Sequence, residues 1–253
     1  MPGAKTSEHM YTGLQKVVDR ARRHPEERIL SLAHRIDVPA LVRAYRRLRS
    51  GAAVGVDGVT KAEYGQDLER KLTDLRERLK SKRWRHQPIR RVHIPKGEGR
   101  TRPIGISTVE DKIVQDSIRE VLEEIYEQDF LDCSYGFRSG RSAHDALRAL
   151  SRAVHRGGVQ WVIEADIVSF FDSLDRTKLM EMLRTRVADD SLLRLIGKCL
   201  TWACSTARNI PSRIRVQPRG RCSHRSSVTS ICTTCWTCGS RARSNRASRA
   251  GLT

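Results

Sequence analysis

The segment Val162 to Asp175, VIEADIVSFFDSLD, holds the residues best suited to chemistry. Val159, Trp161, Ile163, Ala165 and Ile167 fall on alternate positions, which predicts a strand over 159–167. Asp166 belongs to the opposite set, at the strand's end. A carboxylate there can hold Mg2+ at a sheet surface. Magnesium prefers oxygen ligands and keeps several waters, so substrate phosphates complete its shell. In two-metal phosphoryl transfer, one ion activates the attacking hydroxyl and the other supports the leaving oxygen. An ordinary exposed Asp and a plain core Phe at 171 fit the same spacing, and the segment alone does not separate the readings.

Other elements must position this segment. The first 36 residues read as helical, with Pro25 suited to the first turn of a second helix. Asp37 caps a clearer helix, with Val38, Leu41, Val42, Tyr45 and Leu48 on one face and Arg43, Arg46, Arg47 and Arg49 around it. Gly51 to Thr60 is a glycine-punctuated loop. A further helix carries Tyr64, Leu68, Leu72, Leu75 and Leu79. The period then shortens. Ile89, Val92 and Ile94 lead to a turn at Lys96–Arg100, and Thr101 to Ile106 returns, predicting a β-hairpin with a basic tip. A long helix is predicted from about Thr108 to Gln128. Ser142 caps another, with Ala146, Leu147, Leu150 and Val154 as its apolar side. Two more helices start near Arg176 and Ser191. The mixture predicts an α+β chain with an antiparallel sheet.

Four blocks, in order, resemble group II intron-encoded and retron-type reverse transcriptases, over roughly Tyr45 to Leu200. They are GVDGVT with its following helix, VHIPKGEGRTRPIGISTVEDKIVQDSI (Val92 to Ile118), SYGFRSGRSAHDAL (Ser134 to Leu147) and the Asp166 segment. The first block is found in group II and related enzymes and absent from retroviral ones, which favours the intron type. The resemblance implies the fingers and partial palm of a right-hand polymerase. It implies RNA-directed DNA synthesis with two Mg2+ ions, deoxynucleoside triphosphates, a DNA primer and an RNA template or intron RNA. By the same resemblance, Asp166 is the metal-binding catalytic carboxylate and the Ile167 carbonyl a second metal ligand. Phe171 is the steric gate that excludes a 2′-hydroxyl. Lys96 and Arg102 contact the incoming triphosphate, and two cations on a short hairpin suit that task. Arg138 and Arg141 contact RNA. His144 is expected to make a structural hydrogen bond.

Composition agrees with a polyanionic partner. The chain has 48 Lys and Arg against 29 Asp and Glu, a formal net charge of +19. Neutralising phosphates releases counterions and drives sequence-independent binding. No apolar run reaches the length of about 20 residues needed to span a bilayer, and the N-terminus lacks a secretory apolar core. A cytoplasmic location is expected. Seven cysteines do not read as a secreted disulfide framework.

The tail changes character. No acidic residue follows Asp190, and the family's Tyr-x-Asp-Asp block is missing from the 253 residues. Degenerate back-translation from Trp202, read two bases out of register, permits family-like strings, including YLHYVLDLW over Cys232 to Cys238. A frame change near residues 201 to 203 is therefore expected, with 202–253 a non-homologous, disordered basic tail. Cys222, His224, Cys232, Cys235 and Cys238 offer an alternative as a zinc site in a nucleic-acid-binding protein, although Cys-x2-Cys-x2-Cys is not a usual finger spacing.

The expected organisation is an N-terminal helical extension at 1–36, a fingers-like region at 37–158, the start of the palm at 159–201 and the tail. The expected function is that of a truncated polymerase of the group II intron type, inactive alone. The alternative is a non-catalytic RNA-binding fragment.

Overall fold

The computed structural model describes residues 12–97, 100–157, 159–164 and 175–208. Within them the protein is mainly helical, with one two-stranded antiparallel sheet. In chain order the elements are α1 (Thr12–Arg23), a 3-10 turn (Ala33–Arg35), α2 (Val38–Arg47), α3 (Lys61–Gly65) and α4 (Leu68–Lys80). Then come β1 (Arg90–Gly97), β2 (Arg100–Ile106), α5 (Val109–Tyr126), α6 (Ala143–Arg156), α7 (Arg176–Arg184) and α8 (Asp190–Arg208).

Helix α5 is the centre. Val109, Ile113, Val114, Ile118, Val121, Leu122 and Ile125 recur at helical spacing, and all are buried. Helices α1, α2 and α8 pack around it. Leu41, Leu72, Leu75, Trp84, Leu183 and Ile196 complete the core. Its start is fixed by Thr108, whose hydroxyl accepts from the Asp111 N–H. Asp37 caps α2, and Ser142 caps α6 in a capping box with Asp145, as their sequence positions predict.

Several expectations are corrected. The Tyr64–Leu79 helix is two helices. Asp67 adopts φ 55°, breaking the run between α3 and α4. Asp tolerates that conformation better than most residues, and a Cβ at Gly65 would push the Tyr45 hydroxyl away from the Lys61 carbonyl it donates to. Pro25 begins a turn and no helix. The chain beyond it runs toward Ile29, whose backbone joins a parallel bridge to Val187.

The 159–164 part of the predicted strand has no regular structure, and Trp161 and Ile163 are 88% and 93% exposed. A strand needs a partner for its backbone groups, and among the described residues only β1 and β2 pair as strands. Residues 165–167 lie outside the described residues. Helix α6 forms as predicted, yet its apolar side does not enter the core: Leu147, Leu150 and Val154 are exposed.

Candidate nucleotide and nucleic-acid interface

The hairpin pairs Arg90 with Ile106 through to Pro95 with Thr101, then shifts so that Gly97 opposes Arg100. Lys96 occupies the shift and has no Cα partner; Arg102 opposes Ile94. Both predicted triphosphate contacts therefore sit on the same short ribbon, one at a bulge. Bulges are over-represented beside active sites because they re-aim the local chain. Pro95 and Pro103 lack a backbone donor and are tolerated because each strand has an open edge.

The hairpin's base rests on a buried polar cluster that periodicity did not reveal. The Asp111 Oδ2 accepts from the Thr108 hydroxyl at 2.8 Å and from the Gln87 N–H at 3.1 Å. His86 Nδ1 lies 2.6 Å from the Gln87 carbonyl, an acceptor only, so that nitrogen carries the proton. In the neutral ring Nε2 is then free to accept from Gln115 Nε2 at 2.9 Å. Burial pushes the Asp111 carboxyl above its ordinary range, against the opposing pull of the hydrogen bonds from Thr108 and Gln87. The segment leading into β1 is thus tied to the first turn of α5. One sequence signal was available: Thr108-x-x-Asp111 has capping-box spacing.

Glycine 55, in the GVDGVT block, packs on the same point. A Cβ there would lie 2.6 Å from the Thr108 Cα, so only glycine allows the loop to approach α5 this closely.

The loop before α6 is braced by its two arginines. Arg138 is buried. Its Nη1 donates to the Leu131 and Ser134 carbonyls, both at 2.8 Å, and its Nη2 donates to Glu127 Oε1 at 2.6 Å. Its guanidinium also lies 4.7 Å from the Phe130 ring centroid. Arg141 is partly exposed; it donates to the Asp132 carbonyl at 2.8 Å and sits 5.3 Å from the Tyr135 ring centroid. Arg138 therefore shapes the loop from within, while Arg141 keeps part of its charge at the surface. His144 is exposed, and its ring makes no hydrogen bond among the described residues. The expected structural bond belongs to its neighbour Asp145, at the capping position.

Asp166, Ile167 and Phe171 lie outside the described residues, as do Cys222, His224, Cys232, Cys235 and Cys238. The flanking Asp175 caps α7, accepting from the N–H groups of Thr177 and Lys178. Among the described residues no group of three or more His, Cys, Asp or Glu is placed to hold a metal ion, and no helix is long and apolar enough to cross a membrane.

The positive charge is partly neutralised inside the fold. Arg43 pairs with Glu120 at 2.8 Å, and Arg47 with Asp116 at 2.7 Å, fastening α2 to α5. Arg78 pairs with Glu110 at 2.7 Å. Of the basic residues predicted to surround α2, these two are structural ties.

The reverse transcriptase (RNA-dependent DNA polymerase) family matches residues 94–226, from β1 past Thr201. The chain belongs to that family, and its relatives place it with the group II intron type. It is 35% identical over 193 residues to Protein YkfC of Escherichia coli (strain K12), covering 74% of this chain and 51% of that protein. It is 35% identical over 158 residues to the group II intron-encoded protein LtrA of Lactococcus lactis subsp. cremoris, covering 62% of this chain and 26% of that one. An uncharacterized 91 kDa protein in the cob intron of Schizosaccharomyces pombe is 32% identical over 222 residues, 86% of this chain and 27% of its own. The chain thus spans about half the length of the first relative and about a quarter of the other two.

Proposed function

We propose that this chain forms the fingers and the start of the palm of an RNA-directed DNA polymerase of the group II intron type. The observation that carries the reading is the family match across the hairpin and the Asp166 segment. In this reading Lys96 and Arg102 bind the triphosphate of an incoming deoxynucleotide. Phe171 excludes a 2′-hydroxyl by presenting an apolar wall to a polar atom. Arg141 contacts the phosphates of template or intron RNA, and Arg138 holds the loop that carries it. The His86–Asp111 cluster supports the hairpin from below.

Asp166 and the Ile167 carbonyl would supply oxygen ligands to Mg2+. Two ions need more carboxylate than this. Asp175 and Asp189 cap helices with their oxygens, and no Asp or Glu follows Asp190. The Tyr-x-Asp-Asp carboxylates that the family resemblance implies for a second ion are not among these 253 residues.

The chain by itself therefore binds RNA and does not extend a primer, as the non-catalytic alternative would have it. A frame change near residues 201 to 203 is proposed although the family match runs on to residue 226; the gene's nucleotide sequence tests it. Primer extension on an RNA template tests the rest. Salt-dependent RNA binding without synthesis is expected. Mg2+-dependent synthesis abolished by Asp166→Ala would show that the chain carries a complete catalytic site.

A further inference from the structure

A second basic feature lies away from the hairpin. The 3-10 turn, α4, the residues after it and the start of α8 enclose a cleft of about 300 Å3. Its walls carry His34, Arg76, Lys80, Lys82, Arg194 and Lys198, and no acidic residue lines it. We propose that this cleft binds the phosphates of an RNA strand. The inference rests on the reading of the chain as an RNA-binding member of its family, and it adds a site that the family motifs do not assign.

Net charge alone would not single out one patch on so basic a protein. Convergence does: among the described residues, several unpaired cations line one concavity that no carboxylate shares. Arg43, Arg47, Arg78, Arg119, Arg138 and Arg186 all pair with carboxylates. Among the described residues Arg76, Lys80, Lys82, Arg194 and Lys198 form no ion pair, although they share one concavity. Asp189, which precedes α8, does not offset this charge. Its two oxygens accept from the N–H groups of Leu32, Ala33, Ser191 and Leu192, so its charge serves backbone donors and faces no cation.

The cleft is also held in shape. Lys198 Nζ donates to the Trp84 carbonyl at 2.6 Å and to the Lys82 carbonyl at 3.0 Å, binding α8 to the segment after α4. An ammonium has three donors, which leaves one. Burial and the neighbouring Arg85 and Arg194 push the Lys198 pKa down, as uncompensated positive charge must. A bound anion would relieve that repulsion.

The lining chooses among anions. Arginine forks and lysine point charges both suit phosphate. No Phe, Tyr or Trp lines the cleft, so it offers no platform for base stacking, and contact falls on the backbone. Binding should be independent of sequence and steeply salt-dependent.

The test uses the full chain and a labelled, unstructured single-stranded RNA, with fluorescence anisotropy across a range of KCl. The variant is Arg76→Gln with Arg194→Gln; an equal-charge control is Arg23→Gln with Arg28→Gln, both exposed and outside the cleft. Far-UV circular dichroism checks that each is folded. At low salt the cleft variant should bind about tenfold more weakly, and its log K against log salt slope should shrink by roughly 1.4, about 0.7 per lost phosphate contact. The control should change both much less. A cleft variant indistinguishable from the control overturns the cleft and leaves the family reading intact. Wild-type protein that binds no RNA overturns both. Inorganic pyrophosphate, titrated at matched ionic strength, separates a free phosphate from a strand. Tight pyrophosphate binding lost in the variant, with RNA affinity unchanged, also overturns the proposal.

Discussion

Arg186 grips Asp129 with two prongs: Nε lies 2.8 Å from Oδ2, and Nη2 lies 3.1 Å from Oδ1. The same guanidinium donates to the Glu27 carbonyl at 2.8 Å and the His24 carbonyl at 3.1 Å. One buried side chain thus fastens the end of α1, the end of α5 and the turn after α7. Arg186→Ala leaves the half-buried Asp129 carboxylate without this partner, and the Ala21, His24 and Glu27 carbonyls each lose a hydrogen bond. The expected cost is about 3–5 kcal/mol, the usual range for breaking a buried pair. Urea unfolding measures it. Arg186→Lys should recover only part, because an ammonium cannot reproduce the fork.

Asp189 joins the 3-10 turn to α8. Burial raises its pKa, but the four backbone N–H groups overcome that, and the net shift is downward. A carboxyl lowered on folding contributes stability that is complete above the ordinary Asp value near 4. The contribution is lost as pH falls through the depressed folded value. Asp189→Ala should therefore cost about 1–2 kcal/mol at neutral pH, in the range of a lost helix cap. It should also flatten the fall in stability below about pH 4. Unfolding curves at several pH values decide the matter; an unchanged acid limb would refute the assignment.

Arg138 predicts a local effect. Its removal frees Glu127 and the carbonyls of Leu131 and Ser134 together. Arg138→Ala should expose the 131–142 loop to limited proteolysis and cost about 2–4 kcal/mol. If cleavage of that loop is no faster than in wild type, the brace is not what holds it.

Glycine positions differ in a checkable way. Gly55→Ala forces a Cβ against the Thr108 backbone, which neither side can relieve by rotating a side chain. A cost of roughly 1–3 kcal/mol is expected. Gly51→Ala meets nothing within 4 Å and should be close to neutral. Equal midpoints in urea for the two would contradict the close approach.

Helix α6 offers the reverse test. Leu147→Gln with Leu150→Gln removes exposed apolar surface, so stability should change by no more than about 0.5 kcal/mol per site. Binding of a hydrophobic dye should fall. A large loss of stability would mean that this face is packed.

The sequence by itself determined the local elements and the family. Apolar spacing located α5, alternation located the hairpin, and Asp37 and Ser142 marked helix starts, because those signals act over a few residues. Four ordered motifs carried the family likeness. The tertiary structure decided what each surface is for. Arg43 and Arg47 read only as residues around the apolar face of α2 until α5 supplied Glu120 and Asp116. Leu147 and Leu150 read as the apolar side of a helix, and the fold left that side exposed. Residues 159–164 alternate as a strand does, yet alternation only makes a pleated face available, and pairing needs a second strand. Asp111 and His86 come within 3.6 Å of each other from well-separated points of the chain, which no local period records. The basic cleft has the same origin, since its cations come from segments far apart in the chain. Local preferences specify which face a segment can offer. The partner or counter-charge that face meets is set by distant residues, and so it appears only once the chain has folded.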